Sequence, residues 1–231
     1  MSIATFRKRS LIAATTFLIL GTVARQASAA IITFNGSDFA TIPSQPDANL
    51  PTAAEAEFDA AASVVGTNNL INFETVTLGI FSSLSVAPGV VATLSNNDRG
   101  RISLDQNVAY GYNTTIGGSQ FLQFRPTFGV STARLDFDFI EPIQGFGAYF
   151  TGLGTAAGNL NVTFNNGTSQ PLIVTGSPFG GSQFWGFITP GAMINNISLS
   201  LSGVTSLSRD IFGLDDVRYV SACSRQQLPL N

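Results

Sequence analysis

The chain has 231 residues, a formal net charge of −3, no histidine and a single cysteine, and 44% of its residues are hydrophobic. Without histidine, a Ser-His-Asp or Cys-His catalytic arrangement is impossible and a zinc site is disfavoured. The composition supplies none of the clustered positive charge that nucleic-acid binding requires, and its hydrophobic content is typical of a folded domain rather than of a disordered chain.

Residues 1–29 have the three parts of a secretory signal peptide. A basic segment, Arg7-Lys8-Arg9, precedes an apolar run from Leu11 to about Val23, and Ala27-Ser28-Ala29 matches a cleavage signal. The alternative is a membrane anchor, but the apolar run falls short of the ~20 residues that a spanning helix needs. We expect a secreted protein, outside the cell, on its surface or in the periplasm, with no membrane attachment after cleavage.

Cleavage changes the charge balance of the chain. It removes four of the 11 basic residues and no acidic one, which leaves seven basic residues against 14 acidic ones, a net charge of −7. Binding to nucleic acid or to an anionic membrane surface is therefore not expected. Cys223 has no second cysteine with which to form an internal disulfide bond.

Residues 30–69 are predicted to be a lead-in segment with one short helix. Ile31 to Phe34 can form a first short strand, and Thr52-Ala53-Ala54-Glu55 has the spacing of a helix capping box. The alanine-rich residues that follow predict a helix at about 53–64, which Gly66 would end.

Residues 70–220 are predicted to form an antiparallel β-sandwich of jelly-roll type, followed by an irregular tail at 221–231. Apolar and polar residues alternate over 132–139, 160–164 and 197–201, which is typical of strands with one solvated face. Glycine-rich turns separate many short segments of this kind, and no long amphipathic helix interrupts them. The pattern therefore favours an all-β sandwich over a parallel α/β sheet.

Two segments with carboxylates inside strand-like runs frame the predicted sandwich. Ile71-Asn72-Phe73-Glu74 opens it, and Leu214-Asp215-Asp216-Val217 lies near its end, where the three-residue spacing of Leu214 and Val217 predicts a β-bulge. A charge in such a run is costly unless it is hydrogen-bonded or bound to an ion. If the two strands are neighbours, Glu74, Asp215 and Asp216 could converge on calcium, which takes six to eight oxygen ligands. Alternatively, these carboxylates accept backbone N–H hydrogen bonds and hold no ion.

A sugar-binding surface would need exposed aromatic side chains with amide or carboxylate partners. The candidates are Tyr110, Tyr112 and Asn113, which lie in a polar, glycine-rich connection. Trp185 is flanked by other aromatic residues in a strand-like run, so packing in the core is the better interpretation.

Paired carboxylates are the remaining catalytic option. Asp136, Asp138 and Glu141 are close in sequence, and a glycosidase needs two carboxylates at a defined separation. The alternation of the segment already explains these residues as a solvated face.

The order of several short motifs resembles that of exported bacterial proteins of the PEP-CTERM (exosortase-sorted) group. After the signal peptide, the motifs are Phe58-Asp59-Ala60-Ala61-Ala62, Ile71-Asn72-Phe73-Glu74, Phe146-Gly147-Ala148-Tyr149-Phe150 and Phe212-Gly213-Leu214-Asp215-Asp216-Val217. The resemblance covers roughly residues 1–220. It implies an extracellular surface or matrix protein associated with exopolysaccharide, and a likeness to jelly-roll carbohydrate-binding modules that hold calcium between their terminal strands.

The chain departs from this group after Tyr219. The group has a Val-Pro-Glu-Pro motif there, followed by an apolar span and a basic tail, whereas this chain ends Ser221-Ala222-Cys223-Ser224-Arg225-Gln226-Gln227-Leu228-Pro229-Leu230-Asn231. Either this is a released member of the group or the reading frame was lost near Ser221, and neither alternative favours membrane capture through that sorting tag.

Taken together, these features predict a non-enzymatic, secreted β-sandwich whose partner is extracellular polysaccharide and whose one candidate cofactor is calcium. The alternatives are a calcium-dependent carbohydrate-binding module and a carboxylate-based glycoside hydrolase.

Overall fold

The structure is a computed structural model that describes residues 30–38, 49–95, 99–127, 132–154, 160–164, 169–171, 181–202 and 211–222. The predicted signal peptide, Cys223 and most of the predicted tail lie outside these residues. One helix and thirteen strands are present in them: β1 Ile32–Asp38, α1 Asn49–Val65, β2 Gly66–Ile71, β3 Gly79–Phe81, β4 Ser83–Ala87, β5 Val90–Leu94, β6 Arg99–Ser103, β7 Phe121–Arg125, β8 Thr132–Thr151, β9 Leu160–Phe164, β10 Ser169–Pro171, β11 Ser182–Ile188, β12 Ile194–Ser202 and β13 Phe212–Ala222.

The strands pair only in antiparallel fashion, and the long strand β8 takes part in two layers. Its first half pairs with β12 and β5 and so belongs to the order β10-β9-β12-β8-β5-β4. Its second half pairs with β11 and β13. On its other side, β13 pairs with β7 through residues 212–214 and with β2 through residues 217–222. From β7 the second layer continues to β6 and β3.

The bend of β8 lies between Phe139 and Ile143. The pairing with β12 moves two residues along β12, from Asn196 to Ile194, while it moves five along β8, from Asp138 to Ile143. The extra residues include Pro142, which has no N–H to donate to a neighbouring strand. A strand that changes sheets through such an irregularity forms the corner of a sandwich.

The main core lies between the two layers. Phe137 in the first half of β8 packs on Phe146 in the second half at 5.6 Å between ring centroids. Phe164 of β9 packs on Phe187 of β11 at 4.4 Å, and Trp185 is buried in the same core, as predicted. The predicted all-β antiparallel sandwich with one N-terminal helix is confirmed.

A second, smaller core lies under α1, on the outer face of the second layer, which is the face turned away from the main core. Phe58 is fully buried and packs on Phe34 of β1 and Phe184 of β11 at 5.6 and 5.7 Å. Gly186 makes room for this ring, because a Cβ there would lie 2.9 Å from Phe58 Cδ2. No helix among the described residues has the length and hydropathy needed to cross a membrane.

The predicted boundaries need correction at both ends of the sandwich. Strand β1 pairs with β11 along its whole length, and β2 begins at Gly66, so the described residues 32–38 and 66–69 belong to the sandwich rather than to a lead-in segment. The helix begins at Asn49 instead of near residue 53. Strand β13 continues to Ala222 because Ser221 and Ala222 still pair with β2, so the irregular tail cannot begin at 221.

The predicted capping box does not form the start of α1. Glu55 lies in the second turn of the helix, where its carboxylate accepts hydrogen bonds from Arg218 Nη2 and from the Tyr149 hydroxyl. Arg218 Nε also donates to Asp59 Oδ1 at 3.0 Å. This ion cluster connects the helix to β13, and Arg218 and Glu55 in it are mostly buried, whereas Asp59 is more exposed.

Candidate functional site

The connection between β6 and β7, residues 104–120, crosses the outer face of the second layer and is named here the anchored loop. Gly111 has a φ of +104°, and a Cβ on it would come within 2.4 Å of the Gly213 backbone nitrogen. The hydroxyl of Thr151 accepts a hydrogen bond from the N–H of Tyr112 at 2.9 Å and donates one to its carbonyl at 3.0 Å. The loop is therefore seated directly on β8 and β13.

Glu74 approaches this loop from a turn and not, as predicted, from a strand. Strand β2 ends at Ile71, and Phe73 has a φ of 60°, which is rare for a residue with a bulky side chain. The Phe73 ring is buried in the main core. The turn thus places the ring inward while Glu74 faces the loop.

One oxygen of Glu74 holds the C-terminal end of the anchored loop, at Ser119 and Gln120. Glu74 Oε1 accepts hydrogen bonds from the backbone N–H groups of Ser119 and Gln120 at 2.8 and 2.9 Å. It also accepts one from Asn113 Nδ2 at 2.9 Å, and Gln120 Nε2 returns a bond to the Glu74 carbonyl at 2.9 Å. These contacts are the backbone hydrogen bonding that the sequence offered as the alternative to calcium.

Asp215 and Asp216 lie at the β-bulge that the sequence predicted. Between Asp215 and Arg218 the register advances three residues on β13 against two on β8. Asp216 takes the extra position with a φ of 44°, a region that Asp tolerates better than most residues. The bulge turns two consecutive carboxylates toward the anchored loop.

These two carboxylates hold the middle of the loop, at Thr114 and Thr115. Asp215 Oδ2 accepts the backbone N–H groups of Thr114 and Thr115 at 2.6 and 3.1 Å. The Thr115 hydroxyl lies 2.7 Å from Asp216 Oδ1, and the Thr114 hydroxyl lies between the two carboxylates, at 3.1 Å from Asp215 and 3.3 Å from Asp216. Since a hydroxyl has one proton, Thr114 can serve only one of these acceptors at a time.

Asp215 is buried more completely than the other two carboxylates, Glu74 and Asp216. Burial raises its pKa to about 7, the neighbouring charge of Asp216 adds to the rise, and the N–H donors of Thr114 and Thr115 oppose it. Its Oδ1 atom is buried and has no hydrogen-bond partner among the described residues. A carboxyl in this environment takes up a proton more readily than an exposed one.

The structure brings Glu74, Asp215 and Asp216 to the same loop, but to different parts of it. Within the described ranges, no three His, Cys, Asp or Glu side chains form a group that could hold a metal ion. One oxygen of Glu74 and one of Asp215 are engaged by different loop N–H groups, and the three carboxylates do not gather around a shared position in this arrangement. Calcium binding stays a prediction.

The predicted sugar-binding residues divide into one exposed and two inward-facing side chains. Tyr110 is 50% exposed, whereas Tyr112 is 4% exposed and therefore cannot be a surface platform. Asn113 donates through Nδ2 to Glu74 Oε1 and to the Gln120 carbonyl, so its amide supports the loop. The prediction of a surface site is thus corrected for Tyr112 and Asn113, because the loop packs these two side chains beneath itself.

Tyr110 lies at the tip of a tight turn within the anchored loop. The N–H groups of Tyr110 and Gly111 both donate to the Asn107 carbonyl, at 3.0 and 2.9 Å, and the Asn107 N–H donates to the Gly111 carbonyl at 2.8 Å. Gln123 of β7 donates through Nε2 to the Tyr110 carbonyl at 3.1 Å. The backbone that carries the exposed ring is therefore fixed on both sides.

The carboxylates of the glycosidase alternative lie on the outer face of the first layer. Asp136 is paired with Arg134 at 2.8 Å, and Asp138 accepts a hydrogen bond from Asn196 Nδ2 at 2.7 Å. Glu141 is exposed at the bend of β8. Each of the first two carboxylates has a polar partner on a strand of the first layer.

Sequence reasoning missed the residues that connect the carboxylates to the loop, chiefly Thr114, Thr115 and Gln120. Gly118 is a usable signal in hindsight, because a Cβ there would lie 2.4 Å from Glu74 Oε1. The threonine pair carried no local signal, since its partners are about a hundred residues away in the chain.

No family profile and no curated protein sequence matches the chain. Among solved structures, the CBM22-1 xylan-binding domain of a Paenibacillus barcinonensis protein is similar, with 13% identity, a TM-score of 0.41, and coverage of 69% of this chain and 98% of its own. The K2 cleaved adhesin domain of Lys-gingipain has 14% identity and a TM-score of 0.43, with 66% and 97% coverage. The family 11 carbohydrate-binding module of a Clostridium thermocellum cellulase has 11% identity and a TM-score of 0.37, with 70% and 99% coverage. These TM-scores are too low to carry an argument about function.

Proposed function

We propose that this domain is a secreted, non-catalytic carbohydrate-binding β-sandwich that contacts extracellular polysaccharide at a cell surface or in a matrix. The observation that carries the proposal is Tyr110, a half-exposed aromatic ring on a loop whose backbone is held by Gln123 at Tyr110 itself and by carboxylates from Asn113 onward. The signal-peptide pattern of residues 1–29 supports a location outside the cytoplasm.

The rigidity of the anchored loop favours binding. Ordering a loop when a ligand binds opposes affinity, and a loop already held in its bound conformation avoids that loss. Charge-assisted hydrogen bonds, such as those to Glu74 and Asp216, are the stronger kind. The loop can therefore present Tyr110 without further ordering.

The side chain of Tyr110 suits a sugar. A tyrosine offers an apolar ring face together with a polar hydroxyl, and a pyranose ring offers apolar C–H groups on one face and hydroxyls at its rim. Gln123, a partly exposed residue of β7, donates to the Tyr110 carbonyl and so lies next to the residue that carries the ring. An aromatic ring and a neighbouring amide can together bind both parts of a saccharide.

A role without catalysis agrees with the chemistry available in the chain. The chain has no histidine, and Asp136 and Asp138 are engaged by Arg134 and Asn196. If purified protein released reducing sugar from a polysaccharide, and Asp136→Asn or Asp138→Asn abolished that release, the non-catalytic assignment would be overturned.

Binding to a panel of neutral and acidic polysaccharides, measured by affinity electrophoresis, tests the proposal. We expect Tyr110→Ala to weaken binding by about tenfold or more, which corresponds to the loss of one well-packed aromatic contact. Tyr110→Phe keeps the ring and should bind nearly as well as the wild type.

Val64→Ala is the matched control, because Val64 is an exposed apolar side chain on α1, 85% exposed and outside the anchored loop. It should bind like the wild type. Wild-type protein that binds no polysaccharide on the panel, or Tyr110→Ala protein that binds undiminished, would contradict the proposal.

A further inference from the structure

Three arginines lie together on the outer face of β6 and β7, which is named here the arginine face. Arg99 and Arg101 are on β6 and Arg125 is on β7, and all three are exposed. Arg99 and Arg125 are directly opposite each other in the register. Three of the seven basic residues that follow the predicted signal peptide are thus concentrated on two short strands of an acidic chain.

This arrangement is unfavourable for the isolated fold. Like charges directly opposite each other on neighbouring strands destabilise the pair, because their Cβ atoms lie about 5 Å apart. In the part of the chain that the structure describes, Arg101 has an ion pair with Asp105 at 2.8 Å, and Arg99 and Arg125 have none. An anionic partner would relieve this repulsion.

The arginine face adjoins the backbone of Tyr110, the residue that carries the ring of the proposed sugar site. Arg101 is directly opposite Gln123, and Gln123 donates to the Tyr110 carbonyl. On the other side of Arg101 is Ile80, which is 69% exposed on β3. The three strands β3, β6 and β7 therefore present one strip, about 10 Å across at the usual strand spacing.

We infer that the arginine face binds the carboxylate groups of an acidic, uronate-bearing polysaccharide whose sugar ring packs on Tyr110. This inference rests on the proposed function and specifies its ligand class. Guanidinium groups match planar carboxylates with paired, charge-assisted hydrogen bonds. A uronate polymer supplies both parts of the match, a planar anion for Arg99, Arg101 and Arg125 and a ring face for Tyr110.

The experiment compares two polymers that share one backbone, polygalacturonate and its highly methyl-esterified form, in buffer that contains EDTA. Esterification removes the negative charge and leaves the sugar rings in place. We expect wild-type protein to bind polygalacturonate about tenfold more tightly or better, with an affinity that falls as NaCl is added.

The test variant is Arg99→Gln/Arg125→Gln, which should lose the preference for the charged polymer while its binding to the esterified polymer is unchanged. Arg134→Gln is the matched control, because Arg134 is also an exposed strand arginine but lies on the first layer. Thermal melting of each variant confirms that it is folded.

The outcomes separate the inference from the proposed function. Equal binding of both polymers, unaffected by the arginine substitutions, overturns the inference and leaves the carbohydrate-binding function in place. Failure to bind either polymer or any neutral polysaccharide overturns both. Equally tight, arginine-dependent binding of a single-stranded oligonucleotide would show a general polyanion site and would also overturn the inference.

Discussion

The buried carboxyl of Asp215 makes the stability of this domain depend on pH in a defined direction. Its pKa is raised from 3.8 to about 7, mainly by burial. An acid whose pKa is raised by folding stabilises the native state fully below its unfolded pKa, and this contribution is lost as the pH rises toward the folded pKa. The relevant window is therefore about pH 4 to pH 7.

The magnitude follows from the shift. Each pKa unit corresponds to about 1.4 kcal/mol, so a rise of about three units amounts to roughly 4 kcal/mol of unfolding free energy. Asp215 is fully buried, so solvent screening does not reduce this figure much. Asp215→Asn replaces the carboxyl with a neutral group of nearly the same shape and removes the titration.

We expect the unfolding free energy of the wild type, relative to Asp215→Asn, to fall by about 1.4 kcal/mol per pH unit across this window. Urea denaturation of both proteins from about pH 4 to pH 8 measures the difference. EDTA must be present throughout, because a bound cation would hold the carboxylate in its charged form.

Asp138→Asn makes the same chemical change at an exposed position on the outer face of β8. It measures how much the pH dependence of the unfolding free energy changes when an exposed carboxylate is removed. If the unfolding free energy of the wild type minus that of Asp215→Asn stays flat or rises with pH, the raised pKa of Asp215 is refuted. The N–H donors of Thr114, Asp216 and Thr115 would then at least balance the desolvation of the carboxylate.

Two further predictions concern the ion cluster and calcium. Arg218→Ala should destabilise the domain by roughly 3 kcal/mol in urea denaturation, since it leaves the mostly buried carboxylate of Glu55 without its cation. Arg101→Ala, which breaks an ion pair with Asp105 that is exposed on both sides, should cost about 1 kcal/mol or less, and equal effects would contradict the structural reasoning. For calcium, the melting temperature should rise with added CaCl₂ and fall with EDTA only if the ion binds the native state. An unchanged temperature in both would remove the calcium prediction.

The sequence was most informative where a local pattern suffices. Alternation over 132–139, 160–164 and 197–201 predicted β8, β9 and β12, because a strand with one buried face repeats every two residues. The broken alternation at Asp215 and Asp216 predicted the bulge, since an extra residue shifts every following side chain to the other face.

Local patterns failed where backbone geometry and packing decide the outcome. The run Ile71 to Glu74 has the composition of a strand, but the positive φ of Phe73 ends the pairing and puts Glu74 on a turn. Similarly, Tyr112 lies in a polar, glycine-rich segment that indicates exposure, whereas Gly111 lets the loop approach β13 and Thr151 so closely that Tyr112 is buried.

The sequence by itself determined the fold class, the core composition and the position of the bulge, because these depend on the order of apolar and polar residues along each strand. Only the tertiary structure decided what the carboxylates contact and which arginines are neighbours. Asp215 meets Thr114 across a separation of 101 residues, and Arg99 faces Arg125 because β6 and β7 pair in one register. Strand pairing sets such contacts, and a one-residue change of register would separate them.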